Sequence, residues 1–224
     1  SNVTFEWFRN NASIRRTTNN NLANNTNTSD TLAAYTLSKG QTIKIEVFAF
    51  DGSSNSTLVN STELLIGNSA PVFLINPLIN STNGLNTTEQ NLNVFFTSND
   101  TDADSLTYSI QYFRNNISNF TLTSVAANLN VITVHVLNNL NVSKSETWKA
   151  QVQLSDGTAT SAYVNTTELL ILNTQPNVTT PAFNQTSYTR DQNINVSTLV
   201  TDVDLDLSNV TFEWFRNNAS IRRI

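Results

Sequence analysis

Sixteen residues of this chain occur twice. Residues 1–16 read SNVTFEWFRNNASIRR, and residues 208–223 read the same, an offset of 207 positions. An identity of that length is not a chance event, and repeats constrain a fold more tightly than any local propensity. The chain therefore reads as a window slightly wider than one period of a longer repeating polypeptide.

A weaker repeat lies inside the first. At an offset of 105, TIKIEVFAFDG (42–52) falls on TWKAQVQLSDG (147–157), and NSTELLIGNSAP (60–71) falls on NTTELLILNTQP (165–176). Phe8-Arg9-Asn10-Asn11 falls on Phe113-Arg114-Asn115-Asn116 at the same offset. The offset then becomes 102: Asp100, Asp102 and Asp104 fall on Asp202, Asp204 and Asp206, and YFRNN from Tyr112 falls on WFRNN from Trp214. The long period is thus two similar units of a little over one hundred residues. Residues 69–173 form one whole unit. Residues 1–68 are the later part of a unit whose first strands come from the preceding repeat, and 174–224 are the opening part of the next.

The local pattern is that of strands. Val3, Phe5 and Trp7 alternate with Thr4, Glu6 and Phe8; Ile43, Ile45, Val47 and Ala49 alternate with Lys44, Glu46 and Phe48; Trp148, Ala150, Val152 and Leu154 alternate before Asp156-Gly157. Period-2 alternation marks half-buried strands, and the Asn-Asn and Asp-Gly pairs mark turns between them. Residues 17–30 are polar and aperiodic and read as a loop. Residues 58–66 and 162–172 read as continuous closing strands, and 129–137 as a strand carrying His135 on its outer face. About seven short strands per unit, with turns every 8–12 residues, predict an all-β fold of two-sheet sandwiches placed end to end.

Charged residues are only 13% of the chain and the net charge is −5, with no basic cluster to attract nucleic acid. Cysteine is absent, which excludes disulfides and thiolate-held metals. No apolar run approaches the roughly 20 residues of a membrane helix. Solubility is expected to come from asparagine. Glycosylation acceptors Asn-x-Ser/Thr begin at Asn2, Asn11, Asn24, Asn27, Asn55, Asn60, Asn80, Asn86, Asn99, Asn116, Asn119, Asn141, Asn165, Asn177, Asn184, Asn195, Asn209 and Asn218. Those are eighteen of thirty-six asparagines. Random placement among the Ser and Thr present would give about nine. Dense N-glycosylation of an exported, cell-surface protein follows, the glycans solvating a weakly charged surface and shielding strand edges.

The segments DTDADSLTYSIQYFRNN (100–116), ETWKAQVQLSDG (146–157) and LNTQP (172–176) together resemble the tandem immunoglobulin-like, PKD-like and cadherin-like domains of microbial cell-surface and filament proteins. Absent cysteine combined with many acceptor sites looks archaeal. The resemblance implies β-sandwich beads in series that build a stalk, a filament or an adhesin.

Two acidic segments are candidate cation sites. If the chain is extended there, Asp100, Asp102 and Asp104, and likewise Asp202, Asp204 and Asp206, project to one side and suit a hard ion such as calcium; the alternative is a solvated acidic turn. Trp7, Trp148 and Trp214 read as core, while Phe8, Phe113 and Phe215 point the other way, toward a second face, a glycan or a neighbour. No nucleophile elbow, phosphate loop, HExxH or dinucleotide fingerprint is present, so an enzyme is not expected. The favoured function is a structural repeat whose partners are glycans and copies of itself, in a filament or a continuous array. The alternative is an adhesin or carbohydrate-binding repeat.

Overall fold

The computed structural model describes residues 1–224, apart from the side chain of Tyr35. The protein is all-β, built from several antiparallel sheets. Among the described residues no helix is long and apolar enough to cross a membrane. The strands are β1 (Asn2–Arg9), β2 (Ala12–Asn19), β3 (Thr42–Phe50), β4 (Val59–Asn60), β5 (Leu64–Leu65), β6 (Val72–Ser81), β7 (Leu92–Asn99), β8 (Leu106–Arg114), β9 (Ile117–Ala127), β10 (Ile132–Leu137), β11 (Thr147–Ser155), β12 (Val164–Asn165) and β13 (Leu169–Leu170). Six short strands follow: β14 (Asn177–Val178), β15 (Ala182–Phe183), β16 (Val196–Ser197), β17 (Val200–Thr201), β18 (Glu213–Arg216) and β19 (Ala219–Arg223). Two compact units result. One comprises Ser1–Val72, Asn99–Thr107 and Leu154–Ser161, the other Phe73–Ser98, Tyr108–Gln153 and Ala162–Ile224.

In the first unit the sheet order is β2-β1-β3-β4, with β5 also on β3. The β1–β2 hairpin turns at Asn10 and Asn11, whose φ values of 48° and 63° are both left-handed. Two-residue hairpins of this twist need positive φ at both central positions, and Asn tolerates it better than other side chains. Asn10 Oδ1 also accepts the Thr42 amide at 2.9 Å, which ties the turn to the start of β3. From that turn the register runs on through Phe5↔Thr17 to Val3↔Asn19. Strand β2 therefore takes in Thr17, Thr18 and Asn19, where the polar composition suggested a loop. Thr is β-branched and suits a strand, and Thr18 Oγ1 pairs with Thr4 Oγ1 at 3.0 Å, which lets Thr4 be buried beside Phe5.

In the second unit β10-β7-β6 form one sheet and β8 lies between β11 and β9 in another. Their inner rows are the best-buried part of the protein. Leu92, Val94 and Phe96 of β7, Ile110 and Tyr112 of β8, and Trp148, Ala150 and Val152 of β11 are all fully buried. The two sheets meet through these rows: the rings of Phe96 on β7 and Tyr108 on β8 stand edge to face with centroids 5.1 Å apart, and within the β8 sheet those of Tyr112 and Trp148 are 6.4 Å apart. The turn of the first unit recurs at Asn115 and Asn116 (φ 51° and 64°) and at Asn217 and Asn218 (φ 50° and 64°). The β-bulge between Trp7 and Phe8 recurs between Trp214 and Phe215. Identical sequence gives the same turn and the same bulge in both places, although the second copy pairs only over Glu213–Arg216 and Ala219–Arg223.

The closing strands are broken where continuous ones were expected. Residues 58–66 supply only β4 and β5, and 162–172 only β12 and β13. Side-chain hydroxyls interrupt the ladder. Ser56 and Ser61 Oγ accept the amides of Ala49 (2.9 Å) and Ile45 (3.0 Å). At the offset of 105, Ser161 and Thr166 do the same for Leu154 (2.9 Å) and Ala150 (3.0 Å).

Phe96→Ala removes a fully buried ring from the meeting point of two sheets. It is expected to destabilise the protein by about 3–5 kcal/mol, read as a lower urea midpoint at unchanged slope.

Candidate functional site

The first acidic segment follows β7. It does not run extended: residues 101–102 form a turn, and Ala103 holds φ 59°. The alternation rule therefore fails there. Asp100 is buried, and its Oδ1 accepts the amide of Asp102 at 2.8 Å. Asp102 turns away and accepts the Ser69 amide at 2.6 Å. Asp104 accepts a hydrogen bond from Lys39 Nζ at 2.7 Å. The third member of the cluster is Asp156, from the Asp-Gly turn after β11. One carboxylate oxygen from each of Asp100, Asp104 and Asp156 lies within 4.8 Å of the others. Asp156 Oδ1 accepts the amides of Thr158 (2.7 Å) and Ala159 (2.6 Å), and its Oδ2 accepts Asn68 Nδ2 at 2.8 Å. Those donors, the Ala159 amide foremost and Asn68 next, hold its carboxyl below the usual carboxylate range. Sequence reasoning missed Asp156 because it is fifty-two residues from Asp104. The available signal was its Asp-Gly turn, which the repeat preserves at Asp51.

In the second segment Asp202, Asp204 and Asp206 do come together, within 4.8 Å. Leu205 takes the left-handed place that Ala103 holds in the first, at φ 60°. Each of the three accepts at least one hydrogen bond, Asp202 from the Asp204 amide at 2.8 Å. Asp204 accepts the Thr88 hydroxyl and, at 2.6 Å, the Thr174 amide. Asp206 pairs with Lys144, and this bond raises the lysine's pKa. The pairings Asp102–Ser69 and Asp204–Thr174, and Lys39–Asp104 and Lys144–Asp206, occupy equivalent repeat positions.

Of the eighteen glycosylation acceptors, Asn2, Asn86 and Asn99 are half-buried and the rest are exposed. Asn11, Asn116 and Asn218 stand at hairpin tips. Among the aromatic residues, Trp148 is fully buried, whereas Trp7 and Trp214 are only half-buried. Lys44 Nζ lies 4.9 Å from the centroid of Phe8, and Lys149 Nζ 5.6 Å from that of Phe113. Phe215 is 61% exposed.

His135 corrects a sequence-based expectation. It faces inward, not outward, because Thr133 and Leu137 are the buried positions of β10 and Val134 and Val136 the exposed ones. Its Nδ1 and the Tyr108 Oη are 3.0 Å apart, and its ring lies against Tyr112. Burial lowers its pKa and raises those of both tyrosines.

No family model and no curated protein matches the chain.

The lowered pKa of His135 fixes the sign of a pH effect. Between its folded value and the ordinary 6.5, the unfolded chain binds a proton that the folded chain does not. Stability is complete above about 6.5 and declines as pH falls through that window. Because the ring is half-open to solvent, the slope is expected to stay well under the roughly 1.4 kcal/mol per pH unit of a fully shifted group. His135→Asn retains a hydrogen-bonding side chain without the titration, so it is expected to flatten the stability profile between pH 5 and 7, checked by urea unfolding at each pH.

Proposed function

We infer that this chain is the structural repeat of a heavily N-glycosylated extracellular filament or surface stalk, with a period of 207 residues made of two immunoglobulin-like β-sandwich domains. On this reading residues 69–173 are a whole domain, 1–68 the later part of one, and 174–224 the opening of the next.

The observation that carries the reading is a pair of tryptophans. Trp7 donates its indole N–H to Asp30 Oδ2 at 2.8 Å. Trp214, the same residue of the repeat, has its indole nitrogen buried and without a partner. A buried unpaired donor is costly. The missing acceptor is what Asp30 of a further repeat would supply. The opposite end of that domain supports the same view. The ring of Phe183, on β15, lies 6.4 Å from Trp214, so a residue preceding the second copy of the motif packs on its tryptophan.

The work of such a repeat is mechanical. Each domain buries its own core, and repetition turns a small domain into a long fibre. The joints are short and pinned: Asn68 Nδ2 bonds the Ser69 carbonyl at 3.0 Å while the Ser69 amide is held by Asp102. Asn173, Thr174 and Asp204 make the same arrangement. Exposed acceptor asparagines on most surfaces suit a glycan coat that replaces charge.

Negative-stain imaging of the native material tests this. The expected result is unbranched beaded threads with beads of about 30 Å, the length of a nine-residue strand such as β11, and glycopeptide masses at the hairpin-tip asparagines Asn11 and Asn116. Discrete monomeric particles of about one or two domains would overturn it.

A further inference from the structure

We propose that Asp100, Asp104 and Asp156, with Asn68, form a calcium-binding site. The separation of the carboxylates is the first observation. Two ligands on opposite sides of an ion, each at about 2.4 Å, lie about 4.8 Å apart, and oxygens of the three carboxylates all fall within 4.8 Å of one another. Proximity alone would describe any acidic turn. The second observation separates this cluster from that case. Asp100 is 4% exposed, and its Oδ2 is buried with no hydrogen-bond partner. An anionic oxygen withdrawn from water without a partner is one of the costliest groups a protein can carry. Asn68, whose Nδ2 rests on Asp156, likewise holds a buried Oδ1 without a partner. Two unsatisfied buried oxygens thus accompany three converging carboxylates.

Charge points the same way. Lys39 is the cation that bonds Asp104, at 2.7 Å, and it offsets one of three negative charges. The donors are all oxygen, from carboxylates and one amide, which is the set that calcium prefers. Magnesium prefers to keep its waters, and zinc prefers nitrogen and sulfur.

The second cluster serves as an internal control. None of the side-chain oxygens of Asp202, Asp204 and Asp206 is both buried and unpartnered, as Oδ2 of Asp100 is.

The site lies within this chain and does not require assembly into a filament, so it can be tested on the 224-residue protein. Titration of calcium into metal-stripped protein, followed by calorimetry, is expected to show one saturable site per chain. At about a hundredfold excess over Kd, the melting temperature rises by about 5–10 °C. Asp104→Asn, a partly exposed position where folding is retained, and Asp156→Asn, which keeps an acceptor for the turn amides, each weaken binding about tenfold or more. Asp202→Asn leaves it within about twofold. Lys39→Met removes the competing ammonium and tightens binding. The proposal is overturned if no heat and no melting shift appear up to about 10 mM calcium, the weak end for extracellular modules. It is equally overturned if binding survives both Asp104→Asn and Asp156→Asn, if Asp202→Asn abolishes it, or if Lys39→Met weakens it.

Discussion

The left-handed asparagine pair at the hairpin tips is the constraint on which the other features rest. Because side chains alternate across a strand, a slip of one residue would turn every apolar position to the wrong face. The turn at Asn10-Asn11 prevents that slip between β1 and β2, and the bond from Asn10 Oδ1 to the Thr42 amide carries the register into β3. Asn115 does the same for Thr147 at 2.9 Å. Once those registers are set, Tyr108, Ile110 and Tyr112 share one face with Trp148, Ala150 and Val152, and the core of the second unit follows. The indole of Trp7 is likewise brought within reach of Asp30 by the register of its strand.

Periodicity was enough to read most of the long strands. Alternation of apolar and polar residues marked β1, β3, β7, β8 and β11, and internal repetition showed that they recur. Periodicity failed where a polar side chain competes with the backbone. The closing strands break because Ser56, Ser61, Ser161 and Thr166 present hydroxyls to amides that a neighbouring strand would otherwise take. Strand β2 ran longer than its composition suggested, because threonines can pair across strands. His135 was assigned to the wrong face by its flanking valines. In β10 those valines are the exposed residues, and the polar ring is drawn inward by Tyr108.

The acidic segments were legible as sequence but not as geometry. Alternate projection holds for an extended chain, and both segments curl through a left-handed residue, Ala103 in one and Leu205 in the other. In the first cluster Asp102 turns instead to the Ser69 amide, and Asp156 arrives from a distant turn. Long-range closure of this kind depends on how β7 and β11 are placed, and spacing along the chain cannot supply it. The orphan indole of Trp214 is also invisible in sequence. It emerges only when the two copies of one motif are compared atom by atom.

The hydroxyl interruptions also bear on how copies of such a chain avoid one another. A sheet border lined with free amides is a template onto which any extended segment can zip, and repetitive β proteins present that border many times over. Here the amides of Ile45, Ala49, Ala150 and Leu154 are already occupied by serine or threonine from their own chain. The flanking ladder survives only as two-residue fragments. Sideways fusion into amyloid-like ribbons is thereby disfavoured.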